Sequence, residues 1–553
     1  MTPADTHSWR TPRESDLGLA RVGNNRGLGI SALPGGSLFA IEHRSGDGSI
    51  LVNQVLASPL DGGIGRIVLR VGGQHPVNIE VVGAGARVEL GVAADRMRWE
   101  GTTGELRHRV TLHVLPNETA WLWHVEVTNA GAIALPLDAI LVQDLGLGVR
   151  GFVTNNEAYA SQYIDQRVAR HARFGRVVMS RQNLAQDGRH PWVMHGCLDG
   201  GNACATDAMQ VFGPRHRDAD RFDIPFGTPL ADRCLQHEVS CVAIQSPVIT
   251  LRRGASGSWR FFGLYEPDHP GASSDDDLAR LDALAWPGRD EPSLPTTAVR
   301  RSLVADALAA NVVPFSADTL ARHYPDRVLE ESDADRPLSF FTPDPPHNRH
   351  VVLHAKEHVV VRRHGAILRS GGSWLPDETT LSATCWMHGV FAAQLTIGNT
   401  SFHKLFSVSR DPYNITRASG LRVLAGTKGG WRSLTIPSAF EMGLSDCRWI
   451  YVLADRVISV RAIAAGDDPA MQWRITVVGA PCRFLVFGQL VLGEREFEHA
   501  GIVDCNTTKR RFTFRPDPDS LWGRCYSSAA YHLVTSTPHA IDTLGGDELL
   551  YAD

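Results

Sequence analysis

Hydrophobic residues recur at every second position through most of this chain, and that period constrains its fold more than any other feature. In LRHRVTLHV (106–114), Leu106, His108, Val110, Leu112 and Val114 share one face, while Arg107, Arg109, Thr111 and His113 share the other. In WLWHVEVTN (121–129), Trp121, Trp123, Val125 and Val127 alternate with Leu122, His124, Glu126 and Thr128. Successive side chains of a strand point to opposite faces, so the pattern specifies half-buried antiparallel strands. The intervening LPNET predicts a hairpin or tight corner. Further strands are predicted at 65–71, 246–253, 358–363, 456–463, 472–479 and 483–488, and 52 glycines and 31 prolines supply the turns.

Helical signals are few. SSDDDLARLDALAW (273–286) has Ser274 as a cap, acids at Asp275 to Asp277 suited to the positive end of the dipole, and Leu278, Leu281 and Leu284 at helical spacing. SADTLARHY (316–324) predicts a second short helix, stopped by Pro325. Between Pro287 and Pro345 the chain is acidic and rich in proline. The predicted fold is mainly β: two tandem large antiparallel β-sandwiches with a short helical connector. The predicted domains are an N-terminal sandwich over 1–286, a helical, proline-rich connector over 287–345 and a second sandwich over 346–553. A strand, a corner and a Trp-bearing strand occur in both halves, as RVTLHV with WLWHVEV and RVISVRAI with QWRITVV. Duplicated architecture and the common build of antiparallel corners both account for that echo.

With 553 residues the chain is too long for one core. A net charge of −5 and the lack of any Lys/Arg run argue against nucleic acid as a partner. No apolar window approaches a membrane span, and the polar N-terminus has no secretory h-region. Nine scattered cysteines without a C-x-x-C pair read as free thiols in a reducing compartment, which predicts a cytoplasmic protein. GLGVRG (146–151) fits a dinucleotide fingerprint, but no parallel α/β alternation surrounds it. His108, His113 and His124 lack the carboxylate company of a metal centre, so no metal and no cofactor are predicted.

Two stretches carry candidate binding residues. NNEAYASQYID (155–165) gathers Asn156, Glu157, Tyr159, Gln162 and Tyr163. Amides and carboxylates suit sugar hydroxyls, and aromatic faces suit the C–H surface of a sugar. A capped helix with both tyrosines packed inward reads equally well. ATCWMHGVFAAQLTIGN (383–399) mixes core residues such as Trp386 and Phe391 with His388, Gln394 and Asn399.

At SPVITLRRGASGSWRFFGLYEPDHPGASSDDDLARLDAL (246–284), HGAILRSGGSWLPDETTLSATCWMHGVFAAQLTIGNTSFHKLFSVSRDPYNI (364–415) and IPSAFEMGLSDCRWIYV (436–452), the chain resembles the N-terminal region of the family-94 glycoside phosphorylases, especially the β-1,2-oligoglucan phosphorylases. The resemblance implies β-sandwich domains preceding an (α/α)₆ barrel. In that barrel an aspartic acid protonates the leaving oxygen while inorganic phosphate attacks the anomeric carbon with inversion. It further implies a β-linked glucooligosaccharide as ligand and phosphate as co-substrate. The sequence stops at DELLYAD (547–553), where the helical part is expected to begin, so the resemblance assigns no catalytic residue here and implies a truncated chain or a separate helical-barrel partner. His388, Gln394, Asn399, Arg410 and Asn414 become candidates for facing the cleft where that barrel docks. Two alternatives stay open: a self-contained β-glucan hydrolase or transglycosylase using Glu157, Asp165 or Glu441, and a glucan-binding scaffold without turnover.

Overall fold

The structure is a computed structural model that describes residues 6–551, apart from 47, 156, 219–221, 223, 237–238, 289–292, 346, 372–374, 376, 399–402, 412, 465, 507 and 537–540. It is mainly β, and the chain forms two compact units. The first comprises Leu17–Gly213 with Phe222–Ala305, and the second Met1–Asp16, Pro214–Arg221 and Asp306–Asp553. The division at Ala305/Asp306 falls inside the proline-rich 287–345 stretch. Among the described residues no helix is long and apolar enough to cross a membrane.

In the first unit the predicted hairpin is present, with Val114 paired to Trp121 and Leu106 to Asn129. Its two strands lie inside a nine-stranded antiparallel sheet. A six-stranded sheet built on Arg66–Val71, Leu135–Asp144 and Ser240–Gln245 supplies the opposing layer. Trp99, Trp121, Trp123 and Trp259 from the larger sheet meet Ile67, Leu69, Leu141 and Val242 from the smaller in one core. The Trp99 indole N–H donates to the Gly36 carbonyl at 2.8 Å, and that of Trp259 to the Pro247 carbonyl at 2.9 Å.

The other face of the nine-stranded sheet is covered as well. Leu122, Met179, Trp192, Met194 and Phe262 pack with Leu281, Leu278 and Trp286. This is the purpose of the predicted 273–286 helix, which is a 3₁₀ turn (Asp275–Leu278) running into one α-turn (Ala279–Asp282). The Asp277 carboxylate accepts the Ser274 backbone N–H at 2.8 Å. Double coverage corrects one expectation: His124, placed by alternation on a polar face, is buried.

The second unit contains two seven-stranded sheets and a four-stranded one. Cys385, Met387 and Phe391 of the 383–399 stretch are core, Phe391 meeting Trp449 edge-on at 4.9 Å. The strand Thr6–Arg10 pairs antiparallel with Ile502–Asn506, which brings segments nearly 500 residues apart into one sheet. The helix predicted at 316–324 spans Ala317–His323, with the Ser316 hydroxyl accepting from the Thr319 N–H at 3.2 Å. All nine cysteines are free thiols.

The predicted strand at 358–363 is not one. His354–Glu357 forms a helical turn and the residues after it a bend. The side chain of Arg217 donates to the carbonyls of Glu357 at 2.9 Å and Val360 at 3.0 Å, and to that of Val361. Those acceptors are thereby satisfied by a guanidinium instead of a neighbouring strand.

Gly263 pairs across the sheet with Trp121, and a Cβ at that position would overlap the indole ring. Gly263→Ala is therefore expected to destabilise the first unit by about 1–3 kcal/mol through overpacking. Urea denaturation measures this, and adding Trp121→Phe should recover part of the loss.

Candidate functional site

In the first unit the 148–163 segment is a run of short turns: a helix Arg150–Asn155, a helical turn Glu157–Ala160 and a 3₁₀ turn Ser161–Tyr163. Its backbone is held by buried amide side chains. The Val149 N–H donates to Gln186 Oε1 at 2.8 Å, and the Gln182 amide donates to the carbonyls of Gly146 and Ala160 at 3.1 and 3.3 Å. The Ser161 hydroxyl donates to Gln54 Oε1 at 2.6 Å and accepts the Ser240 N–H at 3.1 Å. Gln54 is itself placed by Asp144, whose Oδ2 accepts the N–H groups of Gln54 and Val55 at 2.9 and 2.8 Å. Burial pushes the Asp144 carboxyl up to about 6, although those two amides favour its charged form.

Val153, Ala160 and Ser161 occupy the inward positions. Tyr159 and Tyr163 face outward, 59% and 41% exposed, and Gln162 is exposed between them. The segment is helical, as one reading had it, but its tyrosines are not packed inward. Two exposed phenol rings on a rigidly tethered backbone can cover the C–H face of a sugar without being ordered first. Asn156 and the side chain of Glu157 lie outside the described residues. Asp165 is half-buried in the strand Ile164–His171, opposite Arg181.

In the second unit the candidates are placed differently. His388, Arg410 and Asn414 are 0%, 5% and 1% exposed, so they lie inside the unit rather than on its surface. Asn414 donates to the Arg217 carbonyl at 3.2 Å and accepts from Arg422 at 2.9 Å. Arg410 is ion-paired with Glu496. Gln394 is half-buried at an irregular pairing of the strands Leu381–Trp386 and Val390–Ile397, with a positive φ of 46°. Asn399 lies outside the described residues. Around His388 the polar groups form a network. The Asp411 carboxylate accepts the N–H groups of Tyr413, Ile415 and Thr416 at 3.1, 2.9 and 3.0 Å and the Thr416 hydroxyl at 2.6 Å. Arg363 donates to Ser409 Oγ at 2.8 Å and to the Asp411 carbonyl at 2.9 Å, and its guanidinium lies 3.7 Å from the centroid of the Trp386 ring. Trp386 is thus half-buried under a cation, and Phe391 is core.

Glu441 is also spoken for. It accepts the Tyr324 hydroxyl at 2.7 Å and Arg448 Nε at 2.9 Å, with its side chain 2% exposed. A carboxylate so enclosed and paired has no route to a glycosidic bond. Sequence reasoning missed Asp144, Gln182 and Gln186, because a lone buried acid or amide carries no local signature.

His388 gives a pH-dependent readout. Both its ring nitrogens are buried without a hydrogen-bond partner, and burial, with Arg363, Arg422 and Arg217 nearby, holds its pKa well below the ordinary 6.5. The folded state keeps it neutral, whereas the unfolded chain takes up a proton below pH ~6.5. Its contribution is therefore complete above that pH and lost as pH falls, by up to ~1.4 kcal/mol per pH unit. Comparing urea midpoints from pH 7.5 to pH 5 should show the wild type losing stability with this extra slope, which His388→Leu lacks.

Comparison with known proteins places these features. Residues 31–263 match the family described as SOGP N-terminal domain, and residues 324–551 the glycoside phosphorylase supersandwich domain. A 1,2-beta-oligoglucan phosphorylase of Listeria innocua is 31% identical over 454 residues, covering 81% of this chain. The chain spans 40% of the length of that relative. Among solved structures, a bacterial glucoamylase complexed with acarbose matches 51% of this chain and 35% of its own, at 9% identity and a TM-score of 0.29. A galactose mutarotase related enzyme from Lactobacillus acidophilus matches 46% of this chain and all of its own, at 8% identity and a TM-score of 0.27. Likeness at that level adds nothing about function. The two family matches and the relative agree with the sandwich architecture: the chain carries an SOGP-type N-terminal domain followed by a glycoside phosphorylase supersandwich domain, and resembles the corresponding part of a 1,2-beta-oligoglucan phosphorylase.

Proposed function

We propose that this chain is the β-domain part of a cytoplasmic family-94 phosphorylase acting on β-1,2-linked glucooligosaccharides. The observation that carries this reading is the 31% identity to a 1,2-beta-oligoglucan phosphorylase across 81% of the chain. In the reaction implied, phosphate oxygen bonds to the anomeric carbon, the glycosidic C–O bond breaks, and a carboxylic acid delivers its proton to the leaving oxygen. The resemblance assigns the acid and the phosphate site to a helical barrel, in the same polypeptide or in a partner chain. The β units contribute a surface for the glucan. Tyr159, Gln162 and Tyr163 are the described residues best disposed for it, being exposed on a tethered segment. Asn156, Glu157 and Asn399 belong to the proposal by sequence alone, and Gln394 by its half-exposed position. His388, Arg410 and Asn414 are buried within the second unit and are not part of that surface.

A self-contained hydrolase has fewer carboxylates to draw on, because Glu441 is enclosed by Tyr324 and Arg448. Incubating the purified 553-residue polypeptide with β-1,2-glucooligosaccharides and inorganic phosphate tests the proposal. It predicts no sugar 1-phosphate from this polypeptide by itself and weak glucan binding by calorimetry. Release that persists through further purification would place the chemistry within these residues and overturn it. Tight glucan binding without turnover would favour a scaffold. Tyr159→Ala and Tyr163→Ala should each weaken glucan binding by about 0.5–1.5 kcal/mol, taking the worth of an aromatic–aromatic contact as the scale, with the folded state unchanged by circular dichroism.

A further inference from the structure

Within the second unit, one cluster has the donor set of a transition-metal centre. Asp218, His354 and His358 bring one carboxylate oxygen and two imidazole nitrogens within 4.8 Å of one another. The histidines stand at i and i+4 on the helical turn His354–Glu357 and the residue that ends it, and Asp218 follows the 3₁₀ turn Pro214–Arg217. Asp218 Oδ2 lies 3.3 Å from His354 Nε2 and 3.6 Å from His358 Nε2. A tetrahedral Zn²⁺ with bonds of about 2.0–2.1 Å holds its ligand atoms about 3.3–3.4 Å apart. The spacing therefore suits an ion inside the triangle.

The surroundings orient these groups as ligands. The second ring nitrogen of His354, Nδ1, donates to the Pro437 carbonyl at 3.2 Å. In the neutral ring this leaves the Nε2 lone pair turned toward the carboxylate. The outer oxygen of Asp218, Oδ1, accepts the Thr435 hydroxyl at 2.8 Å, and the Thr435 carbonyl in turn accepts the buried Tyr451 hydroxyl at 2.9 Å. Second hydrogen bonds of this kind fix tautomer and direction in metal-binding histidines and carboxylates. His358 Nε2 is buried and stands 3.6 Å from Asp218 Oδ2, just beyond hydrogen-bond length. Asp218 Oδ2 thus faces both Nε2 atoms, where either a proton on a ring or a metal ion between the three groups balances its charge. The Asp218 and His358 side chains are 23% and 21% exposed, which leaves solvent a way to the fourth position.

We propose that Asp218, His354 and His358 form a binding site for a divalent transition-metal ion of the zinc class, with water as fourth ligand, and that the ion fastens the 214–218 turn to the 354–358 turn. The site is independent of the phosphorolysis reading. The test uses the full chain without a histidine tag, stripped with a chelator and titrated with Co²⁺, whose visible d–d bands report tetrahedral coordination. The wild type should bind one equivalent, develop these bands, lose them to added Zn²⁺, and gain thermal stability with either ion. His358→Gln, which removes one of the three donor atoms, should abolish the bands with the fold retained by circular dichroism. Asp218→Asn should do the same, and Thr435→Val should weaken binding by about 10–100-fold through lost orientation. Failure of the wild type to bind Co²⁺, or equal binding by His358→Gln, would reduce the cluster to a histidine–aspartate ion pair and overturn the proposal.

Discussion

The second unit depends on a guanidinium it cannot expose. Arg217 is fully buried over the ring of Tyr413, donates to three successive-turn carbonyls of the 357–361 stretch, and has the Glu357 carboxylate 3.6 Å away. Glu357 in turn accepts the backbone and side-chain nitrogens of His364, the latter at 2.7 Å. A buried charge is tolerated only with such company, and removing one partner of a buried pair costs about 3–5 kcal/mol. This arrangement replaces strand pairing over 358–363, carries His358 to Asp218, and supplies the carbonyl that Asn414 holds. The first unit has a counterpart in Arg70 and Asp138, fully buried and doubly hydrogen-bonded at 2.9 and 2.6 Å.

Most of the architecture was legible because period-two patterning is local. The strands at 106–114, 121–129, 456–463 and 472–479 pair as the alternation and corner residues imply. What misled was burial that depends on distant chain. His124 reads as a solvent residue until the 275–286 segment covers that side of the sheet. HVVVRR reads as a strand because nothing nearby announces that an arginine from residue 217 will claim its carbonyls. The candidate binding residues were chosen by type, which does not fix their position. Tyr159 and Tyr163 stand outward, whereas His388, Arg410 and Asn414 belong to the interior network. The i, i+4 histidines of HAKEH are visible in the sequence, but their carboxylate comes from Asp218, and no spacing rule joins residues so far apart.

The two candidate regions illustrate different ways of building recognition on β-sheets. In the first unit, glutamine amides and a buried acid tie down a short irregular segment so that its aromatic rings project. Irregular backbone of this kind is where recognition residues commonly sit. In the second unit, Arg422 on Asn414, Arg363 over Trp386 and the Asp411 carboxylate on backbone N–H groups form a buried polar interior. The satisfied members of such a network specify one arrangement, and His388, with neither ring nitrogen hydrogen-bonded, is the exception within it.

The pairing of Thr6–Arg10 with Ile502–Asn506 has a consequence for synthesis on the ribosome. The first unit is complete once Ala305 has emerged, whereas the strand Thr6–Arg10 must wait for a partner, Ile502–Asn506, made nearly 500 residues later. At about 5–20 residues per second that interval is roughly 25–100 s. Throughout it the backbone donors and acceptors of the opening segment are open to other strands. The segment THSWR is short and polar apart from Trp9, which keeps such mispairing weak until the proper neighbour arrives.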